Sequence, residues 1–121
     1  MTGYHVGRLI DHVHVRVRDL ERSARFYRTV LSALDPAITV ECGDGWVAAD
    51  ELFLSDDGPP SPVHIAFQAA DERAVRRFHA AGLAAGGTDN GAPGERPYHP
   101  GYYAAYVLDP DGYNMEAVYH G

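Results

Sequence analysis

The sequence is short of three things, and each shortage argues against a class of protein. It has a single cysteine, Cys42, so no internal disulfide can form and a reducing compartment, the cytoplasm, is the expectation. Spacing assigns no base to Cys42, which reads as a structural residue. There is no uninterrupted apolar run of membrane-spanning length and no signal-peptide pattern at the start, so no membrane partner is expected. Positive charge is scarce: 10 Lys and Arg stand against 17 Asp and Glu, a net charge of −7. A nucleic-acid binder needs a basic surface, so no nucleic-acid partner is expected, while a cationic ligand is compatible.

What is present suits a folded core. Of 121 residues, 45% are hydrophobic and 11% aromatic. That is enough for one domain over 1–121 made of two fused modules. Laid over itself so that His12 falls on His64, the chain also puts Val13 on Ile65, Val15 on Phe67 and Asp19 on Asp71. Arg25 then falls on Arg77, Phe26 on Phe78 and Leu31 on Leu83, which indicates an internal duplication. Module one covers about 8–55 and module two about 62–120, joined by the linker Ser55 to Pro62.

The spacing predicts the same plan in each half. A strand near 9–17 leads to the N-cap Asp19 and a helix near 20–34, whose Leu20, Ala24, Tyr27, Leu31 and Leu34 share a face. Asp35-Pro36 ends it. Three short strands follow at Ile38–Val40, Trp46–Ala48 and Leu52–Leu54, with Gly43-Asp44-Gly45 as a turn. The second half has a strand near 63–69, the cap Asp71 and a helix near 72–85. Asp89 to Pro100 reads as a long polar loop, an addition to the repeat, before strands near 102–108 and 113–119 joined by Asp109-Pro110-Asp111-Gly112.

Alternation carries the functional argument. Val13, Val15 and Val17 alternate with His12, His14 and Arg16, and Val63, Ile65 and Phe67 alternate with His64, Ala66 and Gln68. Each strand thus turns an apolar face to a core and a histidine to the other side. Either these are ordinary strand histidines, or His12 and His64 face a shared space. If the strands of each module curl, Glu116 in the last strand comes near His64. Two imidazoles and a carboxylate form a facial triad for divalent Fe, Mn, Ni, Co or Zn, with positions left open for substrate.

The segments Ile10-Asp11-His12-Val13, Arg25-Phe26-Tyr27 and Val63-His64-Ile65-Ala66-Phe67, closed by DPDGYNMEAV from Asp109, resemble the vicinal oxygen chelate superfamily. This superfamily includes glyoxalase I, extradiol dioxygenases and bleomycin-binding proteins. The GAPGERPYHPGYYAAYVLDPDG stretch is similar to a glyoxalase-like subgroup of it. The resemblance implies an α+β fold of two βαβββ modules forming an incomplete eight-stranded barrel, and a homodimer with modules paired within a chain or swapped between chains. It implies metal ligands at His12, His64 and Glu116, with a divalent transition metal (Zn, Ni, Co, Mn or Fe) as cofactor. Setting Asp50-Glu51-Leu52 against Met115-Glu116-Ala117 makes Glu51 a candidate fourth ligand, with Asp50 the alternative. The implied function is glyoxalase-like lyase or isomerase chemistry on a small oxygenated substrate chelated to that metal. The alternatives are an Fe(II) extradiol-type dioxygenase and an antibiotic-binding resistance protein like the bleomycin binders.

Several other residues are candidates for the site. His99 in the loop is a candidate acid or base beside Glu116. His14, Arg96, Tyr98 and Tyr102 are candidates to contact substrate, Arg96 through an anionic group. His5, His79 and His120 read as surface residues.

Overall fold

The structure is a computed structural model that describes residues 10–121. The expectations for residues 1–7, for His5 and for the first residue of the opening strand lie outside the described residues. In chain order the elements are β1 (Val13–Arg16), α1 (Leu20–Leu34), β2 (Glu41–Gly43), β3 (Trp46–Ala49) and β4 (Leu52–Ser55). Module two follows with β5 (His64–Gln68), α2 (Glu72–Ala84), β6 (Thr88–Glu95), β7 (Tyr103–Leu108) and β8 (Asn114–Tyr119). The fold is α+β: two βαβββ units, each with its own four-stranded sheet, ordered β1-β4-β3-β2 and β5-β8-β7-β6. β1 and β5 are edge strands of separate, unclosed sheets.

The helices form where capping and apolar spacing coincide. The Asp19 carboxylate accepts from Arg22 N at 3.1 Å and the Asp71 carboxylate from Ala74 N at 2.8 Å, so equivalent aspartates satisfy equivalent first turns. Phe26, Tyr27, Val30, Leu31 and Leu34 are buried along α1, and Ala74, Val75, Phe78 and Gly82 along α2. The expected match of Leu31 with Leu83 fails in packing, since Leu31 is buried and Leu83 is 41% exposed. Beside Leu83, Gly82 faces β7: a Cβ there would meet Val107 Cγ1 at 2.9 Å, so α2 lies on β7 closer than a larger residue allows. α1 packs on α2, and a single core runs through both modules.

Three expectations are corrected. Ile38–Val40 is not a strand; Ala37 N and Ile38 N bond Asp35 at its carboxylate and carbonyl, which ties this segment to the end of α1. The strand is the next one along, Glu41–Gly43, and only Asp44-Gly45 turns, with Gly45 at φ +85°. The largest correction is β6. Its TDNGAPGE sequence has no apolar alternation, yet it pairs with β7 from Thr88 to Glu95, with register shifts between Asp89 and Gly91 and between Gly91 and Gly94. An edge strand needs a partner on one side only, and bulges accommodate its glycines and Pro93. The segment is therefore the counterpart of β2, not an addition to the repeat, and only 96–102 turns.

Candidate functional site

The register of β8 and β5 builds the site. Ala66 pairs with Glu116 and His64 with Asn114, so His64 and Glu116 project from one face of neighbouring strands. His64 Nε2 lies 3.1 Å from Glu116 Oε1, and Tyr102 Oη donates to Glu116 Oε2. Glu116 is 3% exposed, an acid enclosed among these partners. The pocket around it has a volume of about 480 Å³ and is lined by His64, Asn90, Tyr98, Tyr102, Tyr106, Asn114 and Glu116.

The second nitrogen of His64 decides what that contact means. His64 Nδ1 is 2.9 Å from the carbonyl oxygen of Asn114. A carbonyl only accepts, so Nδ1 carries the proton and Nε2 of the neutral ring is a lone pair. A lone pair and a carboxylate oxygen 3.1 Å apart need something positive between them. A proton shared between the two groups supplies it, and a divalent cation supplies it equally well. Imidazoles that ligate metals are held in this way, by a hydrogen bond from the other ring nitrogen to an oxygen. The donor chemistry therefore fits a metal of the type that nitrogen and oxygen donors share.

His12 uses the same ring nitrogen on an oxygen in module one: its Nδ1 lies 2.8 Å from Asp11 Oδ1. Its side chain is 66% exposed, and it does not line the pocket of His64 and Glu116. Among the described residues, no three His, Cys, Asp or Glu groups come together as a metal-holding cluster. One chain thus presents two donors in one place and a third in another.

The remaining candidates have defined partners. His14 Nε2 is 2.7 Å from Ser55 Oγ, whose hydroxyl donates to Asp57 Oδ1, and Arg16 Nε donates to the same oxygen. The hydrogen bond from Ser55, with the Arg16 guanidinium beside it, holds the Asp57 carboxyl below its ordinary range. Arg96 spends its guanidinium on the Ala92 and Glu95 carbonyls and lies 5.3 Å over the Tyr106 ring, bracing the turn. Tyr98 is 68% exposed at the pocket's rim. His99 uses both ring nitrogens, one on the Pro100 carbonyl and one on His120 Nδ1. Burial first, then the Glu116 carboxylate, raises the Tyr102 phenol above its ordinary range, and the same two influences raise Tyr106.

Glu51 lines a different groove of about 580 Å³ with Ile10, Val13, Leu34, Ile65 and Phe67. The backbone bonds show which residue of module one stands where Glu116 does. Val13 N bonds Glu51 O and Val17 N bonds Ser55 O, while Ala69 N bonds Val118 O. His14 accordingly pairs with Phe53, as Ala66 pairs with Glu116. Phe53 occupies the Glu116 position, and Glu51 the Asn114 position. The triplet alignment of Glu51 with Glu116 is two residues out, because a short motif match cannot see ladder register.

Of the surface readings, His120 is exposed as expected and His79 is not, and Cys42, read as structural, lies at the surface. His79 joins α2 to β6 through Asp89 at 2.8 Å, and its side chain is only 13% exposed. His120 is the partner of His99. Cys42 is exposed and accepts from Arg28 Nη2. Residues the sequence reading passed over include Asn90, Asn114 and Tyr106. Asn114 and Tyr106 were detectable in principle, since each flanks Glu116 in the ladder, but Asn90 lay in the stretch read as loop.

Paired βαβββ units with an imidazole and a carboxylate on one open sheet face define a class of protein. Residues 9–117 match the Glyoxalase/Bleomycin resistance protein/Dioxygenase superfamily, and the chain belongs to it. A glyoxalase/bleomycin resistance protein from Albidiferax ferrireducens T118 is 30% identical, with a TM-score of 0.76 over 91% of this chain and 97% of that one. TioX from Micromonospora sp. ML1 is 16% identical, with a TM-score of 0.70 over 98% and 100%. Lactoylglutathione lyase from Agrobacterium tumefaciens is 20% identical, with a TM-score of 0.65 over 93% and 92%. The last two show likeness of fold alone. No curated protein matches the chain. Among the described residues, no helix is long and apolar enough to cross a membrane.

Proposed function

We propose that this protein is a metal-dependent enzyme of the superfamily, working in the cytoplasm as a homodimer on a small substrate with two neighbouring oxygens. The observation that carries this reading is His64 Nε2 facing Glu116 Oε1 at 3.1 Å, with His64 Nδ1 committed to the Asn114 carbonyl. His64 and Glu116 would hold a divalent transition metal together with His12. Bound there, such a metal supplies Lewis acidity that polarises a substrate oxygen.

The chain's own residues supply the rest. The pocket's tyrosines and Asn90 and Asn114 offer hydrogen-bonding groups around a substrate, and Tyr98 stands at its rim. The exposed position of His12, away from its own chain's pocket, supports the homodimer. A second copy that brings its first sheet to this open second sheet contributes the missing imidazole. Phe53 in the position matched to Glu116 supports three protein donors over four, which leaves room for both substrate oxygens. Lyase or isomerase chemistry suits that arrangement. Two imidazoles and one carboxylate also form the donor set of Fe(II) oxygenases, so oxidative cleavage is the second reading.

The test is metal uptake by purified protein and by three variants, with oligomeric state measured by light scattering. Wild type should take up stoichiometric transition metal as a dimer, and His12→Ala, His64→Ala and Glu116→Ala should each lose most of it. Mixing equal amounts of His12→Ala and Glu116→Ala should restore one intact site in each mixed dimer, because both substitutions then fall in the other site; with random re-pairing that is about a quarter of a site per chain. Full occupancy in His12→Ala, or no recovery on mixing, would sink the shared site. Uptake of Fe(II) with oxygen consumption on a catechol would move the assignment to the second reading.

A further inference from the structure

We propose that Tyr102 is a positioning residue that restricts Glu116 to one-oxygen coordination of the cation, and that His99 and His120 are the brace that holds it there. This rests on the metal-dependent reading above and specifies how the carboxylate works in it. The Tyr102 hydroxyl donates to Glu116 Oε2, while Oε1 faces His64 Nε2. A carboxylate can bind a cation through one oxygen or both, and a phenol committed to one of them favours the first mode. Single-oxygen binding leaves a further coordination position free, which matters for a substrate that must present two oxygens.

The phenol can hold that geometry because its ring has little freedom. Tyr98 lies edge-on at 4.9 Å, His99 at 5.4 Å and His120 at 5.3 Å, all near perpendicular to it. Tyr102 N donates to the His99 carbonyl and Arg96 N to the Tyr102 carbonyl, which closes the turn at both ends. His99 Nδ1 is 2.8 Å from the Pro100 carbonyl oxygen, and His99 Nε2 is 2.9 Å from His120 Nδ1. With both nitrogens occupied, His99 links the turn to the end of β8, the strand that carries Glu116. Donor and positioning group are thereby fixed to the same strand. Groups so placed behind a ligand commonly change metal affinity by about 10–100-fold when removed.

The decisive variant is Tyr102→Phe, which keeps the ring and its edge contacts and deletes one hydroxyl. Wild type and variant are loaded with Co(II), and affinity, visible absorption and X-ray absorption are recorded, with thermal stability of the metal-free proteins alongside. In wild type one Glu116 oxygen should lie in the coordination shell. In Tyr102→Phe a second should enter, with weaker visible absorption and an affinity changed by about tenfold or more. His99→Ala, which loosens the brace without touching Glu116, should shift the same spectrum in the same direction by less. A merely structural role would lower thermal stability and leave the Co(II) spectrum and affinity alone; that result overturns the inference while the metal site stands. Failure of wild type to take up Co(II) at all overturns the metal-dependent reading, and this inference with it.

Discussion

The two sheets share a framework and differ on their outer faces. Both helices start from an aspartate cap, both bury a phenylalanine to zero exposure at matched positions, and both pair their first strand parallel to their last. On the outer face, Glu116 and His64 stand among tyrosines in the second sheet. The first has Phe53 stacked against Trp46 and a His14, Ser55 and Asp57 network. Duplicated backbones fix where a side chain points but not its chemistry. The helix-facing side is constrained by packing, since a lost methylene there leaves a cavity. The outer face carries no such constraint, and it is there that the copies have diverged.

The shared framework is tested most severely at Phe26 and Phe78. Each substitution to alanine should destabilise by about 3–5 kcal/mol, and by similar amounts, because both rings are fully buried. Urea unfolding measures both. A loss under about 1 kcal/mol at one of them would end the equivalence of the two helices.

The next test concerns matched helix positions that have taken different partners. Tyr27 donates to Asp109 in the turn before β8, while its repeat equivalent His79 meets Asp89 on β6. Tyr27→Phe leaves a buried acid short of a donor and should cost about 1–3 kcal/mol. Burial holds the Asp109 carboxyl above its ordinary range, although the Tyr27 hydrogen bond opposes this. A raised folded value means the fold prefers the protonated acid. That contribution is complete below about pH 4, the unfolded value, and is lost as pH rises through the folded one. Asp109→Asn should flatten this part of the stability–pH curve, measured by thermal unfolding across pH 3–7 against wild type.

A smaller effect belongs to the first sheet alone. Ser55 is 4% exposed and joins His14 to Asp57, and nothing in the second sheet corresponds. Ser55→Ala should cost about 1 kcal/mol and let the Asp57 carboxyl rise toward its ordinary range, since the Ser55 hydrogen bond is the largest influence lowering it. Carbon NMR titration of Asp57 reads the second effect. An unmoved titration would mean that Arg16 alone sets it.

These comparisons also show what was legible beforehand. The two helices, their caps and the apolar faces of β1 and β5 followed from local patterns: Asp19 and Asp71 before amphipathic runs, and valines at period two. Thr88–Glu95 was invisible as a strand because its pairing is held by backbone bonds to β7, and its Gly- and Pro-rich sequence carries no hydrophobic alternation. The pairing of His64 with Glu116 followed from strand periodicity once a curled module was assumed. The braces were not legible: Tyr102 on Glu116, His99 on His120 and His14 on Ser55 all join residues whose neighbourhood depends on register or turn shape.

The smallest expected effect is the most discriminating for the comparison itself. If module one repeated the chemistry of module two, a carboxylate would occupy the position matched to Glu116, and Glu51 was the candidate. Ladder register gives that position to Phe53 and sets Glu51 opposite the start of β1, where its carbonyl accepts from Val13 N at 2.6 Å. The Glu51 residue lines the groove beside Ile65 and Phe67, not the pocket of Glu116. Glu51→Gln keeps the backbone bond and the side-chain volume, so it should leave metal affinity within about twofold of wild type, a difference near 0.4 kcal/mol. Phe53→Glu is the reciprocal experiment, placing a carboxylate where the repeat would have one. It should raise the number of oxygen donors seen by X-ray absorption, provided the shared site forms. If Glu51→Gln instead weakens metal binding tenfold or more, Glu51 reaches the metal in the dimer, and the two outer faces have diverged less than their registers imply.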